Sequence, residues 1–263
     1  MKFLSEPTTE CSAWIPDDLL DDDSWDYTLT QGQADELVAA LGGIKRAGLA
    51  LHQIRAENFP LESCGVLAKD IATSLREGRG FALLHNFPVA GFSREDIEKM
   101  YWGFCTHLGR GVTQNSDGSL IHYVTEGRLR PNQGTRSVGN PGKVSLHVDL
   151  ADCVSLLCLR QAKGSPRSRL ASSTALYNHL LEQAPESLAR LSEGFVWDRQ
   201  DEHGASELPT TGYRVPFFSV ADGQISCRYN RNWIRRAAQR EADGLSSADE
   251  SLLDLIDELA HAH

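Results

Sequence analysis

The chain has 263 residues, of which 41% are hydrophobic and 24% are charged, and its formal net charge is −10 at pH 7. This composition is typical of a globular protein, and it excludes collagen-like, disordered and disulfide-scaffold proteins as well as a protein that neutralises nucleic-acid phosphate. The first residues do not have the pattern of a signal peptide, and the sequence has no apolar run of the roughly 20 residues that span a membrane. We therefore expect a cytoplasmic protein without nucleic-acid or membrane partners.

Helical patterns dominate the first part of the chain. Apolar residues recur at helical spacing in residues 33–49 and again in residues 65–77, where Gly78 supplies a C-terminal stop. Ser93 has the side chain of a helix N-cap, and the helix that follows is predicted to end at Gly109. These elements predict a helical layer at the N-terminal side of the protein.

Strand patterns occupy the intervals after this layer. Each is a short apolar or alternating run bounded by turn residues, and the last two flank an Asp-Gly turn that is typical of a hairpin. The strand-like segments are residues 80–85, 144–150, 154–159, 215–220 and 225–229.

Two further helices are predicted in the C-terminal half. One follows Ser173 and is interrupted by Pro185. The other is indicated by Ser247 and Glu250, which have the spacing of a capping box ahead of a helical apolar stripe. Between these helices, residues 228–236 form a basic run, which we interpret as a solvated face, with contact to an anionic ligand as the alternative.

The cysteines indicate a reduced protein. None of the six forms a C-x-x-C pair, so the sequence gives no support for a thiolate zinc site or a thioredoxin-like motif. Cys153 and Cys158 lie in apolar surroundings and are predicted to be buried thiols.

The sharpest local pattern is the segment from Ser145 to Leu150, in which His147 and Asp149 are two residues apart. In a strand, residues i and i+2 point to the same side, so the imidazole and the carboxylate are presented together. Such a pair provides two ligands of the 2-His-1-carboxylate triad, which leaves iron positions open for cosubstrate and oxygen. The pattern alone is weak, since nine histidines and 19 aspartates predict about 0.65 such triplets by chance.

The context of this pattern resembles a known family. Residues 147–186, HVDLADCVSLLCLRQAKGSPRSRLASSTALYNHLLEQAPE, resemble the taurine dioxygenase-like (TauD/TfdA) family of clavaminate synthase-like Fe(II)/2-oxoglutarate oxygenases. Further similar segments are residues 78–89, 107–118 and 215–234. The resemblance covers nearly the whole chain from about Trp14.

The resemblance implies a β-rich α+β fold with a double-stranded β-helix (jelly-roll) core and flanking helices. We expect one domain over residues 1–263, in which residues 1–77 form a mainly helical layer and residues 78–263 form a jelly-roll core that lacks its last strands. Loss of final strands exposes apolar edges, so the sequence leaves a homo-oligomer open.

The resemblance also implies roles for individual residues. His147 and Asp149 match the first two iron ligands of the family, and Ser168 matches the hydroxyl residue near the 2-oxoglutarate carboxylate. The family's paired glycines are replaced by Ser165–Pro166, which alters the loop before Ser168. Asn115 is a candidate for the substrate side of the pocket, with a surface turn as the alternative.

The family completes its site with a distal histidine and an arginine that binds 2-oxoglutarate, and this sequence shows no counterpart of either before it stops at residue 263. We expect a truncated chain without an evident third iron ligand. The other histidines considered are interpreted as loop, helix-end or structural residues: His85, His107, His122, His179, His203, His261 and His263.

Three functions follow from these observations. The first is an Fe(II)/2-oxoglutarate-dependent dioxygenase that oxidises a small organic substrate, with iron and 2-oxoglutarate as cofactor and cosubstrate. The second is a non-catalytic, shortened family member that acts as a scaffold or an interaction module. The third, zinc hydrolysis, is weaker because it also needs a third protein ligand. The identity of the substrate is not indicated by the sequence.

Overall fold

The structure, a computed structural model, describes residues 3–115, 118–124, 145–161, 164, 167–240 and 244–262. The chain divides into two compact units with separate apolar cores. The smaller unit comprises residues 19–122 and 153–166, and the larger unit comprises residues 1–18, 123–152 and 167–263. The single domain expected over residues 1–263 stays a prediction. Among the residues used in the sequence analysis, those that lie outside the described residues include Ser165, Pro166 and His263, as well as residues 116–117, 144 and 162–163 of the segments considered there.

Helices and one pair of short strands form the described part of the smaller unit. The strand β1 pairs in parallel with β2. The helices predicted at residues 33–49 and 65–77 are confirmed, and Ser93 Oγ accepts the Asp96 N–H at 3.2 Å, as expected of an N-cap. The third helix ends before Gly109. The elements are β1 (Asp26–Thr28), α1 (Gln31–Arg46), α2 (Ser63–Glu77), β2 (Leu83–His85) and α3 (Arg94–Cys105).

The core of the smaller unit lies among α1, α2 and α3. Leu37 and Ile44 of α1 are buried, as are Met100 and Phe104 of α3. Their spacing within each helix places them on one face. Burial of this face fixes the three helices together.

The larger unit combines helices with an antiparallel hairpin. Its strands β3 and β4 flank the turn at Asp222–Gly223, which confirms the predicted hairpin. Pro185 begins a helix instead of only ending one, since the first helical residue needs no N–H. The elements are α4 (Ser173–Gln183), α5 (Pro185–Glu193), β3 (Phe218–Ala221), β4 (Gln224–Cys227), α6 (Arg231–Arg240) and α7 (Ser247–Ala262).

The predicted capping box at the start of α7 is wrong by one residue. Ser246 Oγ, not Ser247, accepts a hydrogen bond from the Asp249 N–H at 3.0 Å. Glu250 does not close a capping box with Ser247, because its carboxylate binds Arg231 and Arg235 of α6. The first turn of α7 is therefore tied to another helix.

An N-terminal segment is attached to α4. The Thr8 N–H donates to Asn178 Oδ1 at 2.9 Å, and Asn178 Nδ2 donates to the Thr8 carbonyl at 2.8 Å. The Leu4 N–H donates to the Tyr177 hydroxyl at 3.0 Å. These contacts make the first residues an integral part of the larger unit.

The described residues are mixed helix and strand, but their short strands do not by themselves make up a jelly roll. The strands predicted in residues 144–150 and 154–159 are not formed where the structure describes them, because no ladder of hydrogen bonds pairs them with a neighbour. Cys153 and Cys158 are exposed, so their predicted burial is wrong. None of the described helices is both long enough and apolar enough to cross a membrane.

Candidate functional site

His147 and Asp149 lie together at the surface of the larger unit. Their side chains are 34% and 52% exposed, and His147 Nε2 is 3.6 Å from Asp149 Oδ1. The segment is not a regular strand, yet the two side chains lie close together on one side as the i, i+2 spacing predicted. At 3.6 Å the two atoms are too far apart for a hydrogen bond, so no direct hydrogen bond joins the two side chains.

The backbone next to His147 selects the tautomer of its ring. His147 Nδ1 is 2.9 Å from the Ser145 carbonyl. Because a carbonyl only accepts hydrogen bonds, Nδ1 carries the proton and donates it to Ser145. In the neutral ring with this tautomer, the lone pair of Nε2 is on the side of Asp149. This is the arrangement that metal-binding histidines use, in which the second ring nitrogen is held by a protein oxygen.

The pair fits two corners of an iron site. Neutral imidazole and carboxylate are ligand types that iron accepts in the facial triad. Among the residues that the structure describes, no group of three or more His, Cys, Asp or Glu side chains is arranged to hold a metal. The third ligand is therefore unassigned.

Comparison with known proteins adds to this geometry. The sequence profile of the family described as "Taurine catabolism dioxygenase TauD, TfdA family" matches residues 45–263. This chain belongs to the TauD/TfdA family. The match confirms the resemblance seen in the HxD segment and its surroundings. Members of the TauD/TfdA family are Fe(II)/2-oxoglutarate-dependent dioxygenases, and the family is one of oxidoreductases.

Two relatives of this TauD/TfdA chain have names that are compatible with such chemistry. The FR-33289 synthase of Streptomyces rubellomurinus is 30% identical over 263 residues, which cover 99% of this chain and 77% of that protein. The taurine hydroxylase-like protein SAT17 of Stachybotrys chartarum is 27% identical over 227 residues, which cover 82% of this chain and 57% of that protein. The similarity to both therefore extends over most of this chain.

The other two residues predicted for the site stay predictions. Ser168 is exposed and makes no hydrogen bond to His147 or Asp149, all three of which are described. Asn115 lies in the smaller unit, where its side-chain oxygen accepts the Ser119 N–H at 3.3 Å and its carbonyl accepts the Gly118 N–H at 3.2 Å. Both the side chain and the carbonyl of Asn115 therefore accept hydrogen bonds from nearby backbone N–H groups.

Structural partners are seen for His85, His107 and His261. His85 Nε2 is 2.8 Å from Asp26 Oδ1, and His107 Nε2 is 2.9 Å from the Phe59 carbonyl. His261, near the end of α7, has Nδ1 at 3.4 Å from Arg169 Nη1. His261 also lines an open surface pocket of about 450 Å³ in the larger unit. Other residues lining this pocket include Ser145, Leu146, Arg231, Arg235, Asp254, Asp257 and Glu258.

The basic run was misinterpreted at its centre. Arg231 is not solvated: its side chain is only 9% exposed and is paired with Asp254, Asp257 and Glu250. Burial lowers the pKa of Arg231, but its hydrogen bonds to these three carboxylates outweigh burial and raise that pKa above its ordinary value. The sequence held a signal for this cluster, because its acidic residues recur at helical spacing in the predicted last helix.

Proposed function

We propose that this chain is an Fe(II)/2-oxoglutarate-dependent dioxygenase that oxidises a small organic substrate. The observation that carries the proposal is the convergence of His147 Nε2 and Asp149 Oδ1, 3.6 Å apart, in a chain of the TauD/TfdA family. In this proposal the two side chains hold the iron. When bound, iron would supply the redox chemistry that activates oxygen, with 2-oxoglutarate as the cosubstrate.

The protein's own groups prepare the ligands in this proposal. The Ser145 carbonyl keeps the proton on Nδ1 of His147, so Nε2 is ready to bind a metal without a change of tautomer. Asp149 contributes the negative charge. Ser168 is proposed to contact the 2-oxoglutarate carboxylate with its hydroxyl, and Arg169 beside it adds a positive charge to the same segment. Asn115 is proposed for the substrate side.

The proposal also extends to the reaction and the fold. One relative is named a synthase and another a taurine hydroxylase-like protein, so we propose hydroxylation of a small molecule as the reaction. The net charge of −10 supports a partner other than nucleic acid. For the fold, the antiparallel hairpin of β3 and β4 supports membership of these strands in the jelly-roll core expected for the family.

Anaerobic titration tests the proposal. Fe(II) and then 2-oxoglutarate are added to the chain, and the charge-transfer absorption of the iron–2-oxoglutarate chelate is followed. His147→Ala and Asp149→Ala should abolish the band. His52→Ala is the matched control, because His52 is an exposed histidine of the smaller unit. Succinate formation after oxygen is admitted reports on turnover.

Each outcome has a clear meaning. A band that depends on His147 and Asp149, followed by succinate formation, is the expected result. Absence of both band and succinate would refute the dioxygenase proposal for this chain. A band without succinate would instead favour the alternative of a non-catalytic family member that still binds metal.

A further inference from the structure

A single backbone contact links the candidate ligands to a buried network. The Val148 N–H donates to the Tyr229 carbonyl at 2.7 Å. Because Val148 lies between His147 and Asp149, this hydrogen bond holds the backbone that connects the two residues. The Val148 side chain also packs against the core of the larger unit. The position of the pair therefore depends on the position of Tyr229.

Tyr229 is held at both ends of its side chain. Its ring is buried, with its centroid 4.9 Å from that of Phe217. Its hydroxyl donates to Asp257 Oδ1 of α7 at 2.7 Å. Burial and the Asp257 carboxylate both raise the pKa of Tyr229, so the phenol remains a protonated donor across the working pH range. Tyr229 is thus fastened to α7.

Arg231 in turn holds Asp257. The second carboxylate oxygen of Asp257 accepts a hydrogen bond from Arg231 Nη1 at 2.6 Å. Arg231 Nη2 binds the carboxylates of Glu250 and Asp254 on the same helix. Since a buried charge without partners is costly, the guanidinium and the acidic face of α7 fix each other's positions. Asp257 is therefore presented to Tyr229 in a defined orientation.

We propose that Tyr229, Asp257 and Arg231 are positioning residues for the proposed metal ligands His147 and Asp149. The inference rests on the proposed function, because it concerns the same metal site. Helix α7 orients Asp257, Asp257 orients Tyr229, and the Tyr229 carbonyl fixes the backbone between the two ligands. A site built on an exposed, extended segment needs such support, because ligand geometry must be held by the groups around it.

The Tyr229→Phe variant tests the hydrogen bond between the Tyr229 hydroxyl and Asp257. It deletes one hydroxyl and leaves the packed ring in place. Asp257→Asn is a second variant that weakens the same link from the side of α7. The matched control is Asp249→Asn, because Asp249 is also on α7 and its carboxylate is 2.8 Å from Arg190 Nη2 of α5, away from Tyr229. Circular dichroism confirms that each variant is folded before it is compared.

Two measurements are made on the full chain. Hydrogen exchange of residues 145–149 in the metal-free protein reports directly on the Val148 N–H, and we expect severalfold faster exchange in Tyr229→Phe and Asp257→Asn. Binding of Mn(II) alone, followed by electron paramagnetic resonance, should weaken roughly tenfold, the lower end of the range for partners outside the ligand set. Asp249→Asn should change neither quantity.

The outcomes separate the two proposals. Unchanged exchange in both link variants overturns the positioning role, whatever the metal data show. Faster exchange with unchanged Mn(II) affinity overturns it as well, because the ligands would then not depend on the link. If the unsubstituted protein does not bind Mn(II), the proposed metal site fails and the positioning role falls with it. Faster exchange together with weaker binding supports the inference.

Discussion

Replacement of Glu36 by glutamine should destabilise the smaller unit, because the Glu36 carboxylate closes the N-terminus of α2. One carboxylate oxygen accepts the N–H and the hydroxyl of Ser63 at 3.1 and 2.6 Å. The other accepts the N–H groups of Glu62 and Cys64 at 3.1 and 3.0 Å. Since the N-cap residue Glu62 makes no capping hydrogen bond with its own side chain, α1 supplies the cap that α2 lacks.

The size of the effect follows from this arrangement. Each carboxylate oxygen faces two donors, so either orientation of the side-chain amide in the Glu36→Gln variant would turn an NH2 group toward at least one backbone N–H. The loss of charge also weakens the remaining hydrogen bonds and the interaction with the helix dipole. With a discount for partial exposure, we expect the free energy of unfolding to fall by about 1–3 kcal/mol.

The contribution of Glu36 to the free energy of unfolding should depend on pH. Burial raises the pKa of Glu36, but the hydrogen bonds from Ser63, Cys64 and Glu62 outweigh burial and lower it below its ordinary value of 4.5. A lowered folded-state pKa stabilises the protein above the unfolded value, and this stabilisation is lost as the pH falls through the folded-state pKa. The difference in the free energy of unfolding between the Glu36→Gln variant and the unsubstituted protein should therefore become smaller at acidic pH.

Urea unfolding followed by circular dichroism at neutral and acidic pH measures both effects. The control is Glu57→Gln, which makes the same charge change at an exposed position of the smaller unit. Equal stability of the two variants at neutral pH would refute the capping role of Glu36. If the Glu36→Gln variant loses as much free energy of unfolding at acidic pH as at neutral pH, the negative charge of Glu36 does not contribute to the cap.

Two further predictions concern packing and thiols. Gly194→Ala should cost at least about 2 kcal/mol in urea unfolding, because φ at Gly194 is 80° and a Cβ there would lie 2.3 Å from the Val215 carbonyl oxygen. Gly43→Ala should instead stabilise by about 0.5–1 kcal/mol, since a Cβ there meets nothing within 4 Å, and a reversed order would refute the steric argument. Burial raises the pKa of both Cys64 and Cys227 to about 12, so neither should react with Ellman's reagent until the protein is unfolded. Fast reaction of either thiol in the native protein would contradict its raised pKa. The thiols expected to react first are the exposed Cys11, Cys153 and Cys158.

The sequence predicted those elements whose stabilising contacts are local. The helix after Ser93 begins where its cap predicts, and the hairpin turns at Asp222–Gly223 because an Asp-Gly pair accepts the positive φ angles of 52° and 81° found there. The convergence of His147 and Asp149 was equally predictable, because two side chains at i and i+2 of an extended segment share one side.

Features that depend on distant partners were not predictable in this way. The apolar run at residues 154–159 has the composition of a strand, but composition does not supply the neighbouring strand that a ladder requires. Arg231 has the appearance of a surface residue until the fold brings α7 against it. The family resemblance recovered what local patterns could not, namely that the chain belongs to the TauD/TfdA family.

The two units are formed from alternating segments of the chain, and this arrangement affects how the protein folds during synthesis. The chain leaves the smaller unit after residue 122 and returns to it at residue 153. The larger unit includes both residues 1–18 and residues 167–263. During synthesis, residues 1–18 therefore cannot contact their partner α4 until all residues of the smaller unit have been synthesised. A nascent chain that ends near residue 122 already contains every buried residue of the smaller unit's apolar core and none of the buried residues of the larger unit's core, so we expect the larger core to form last.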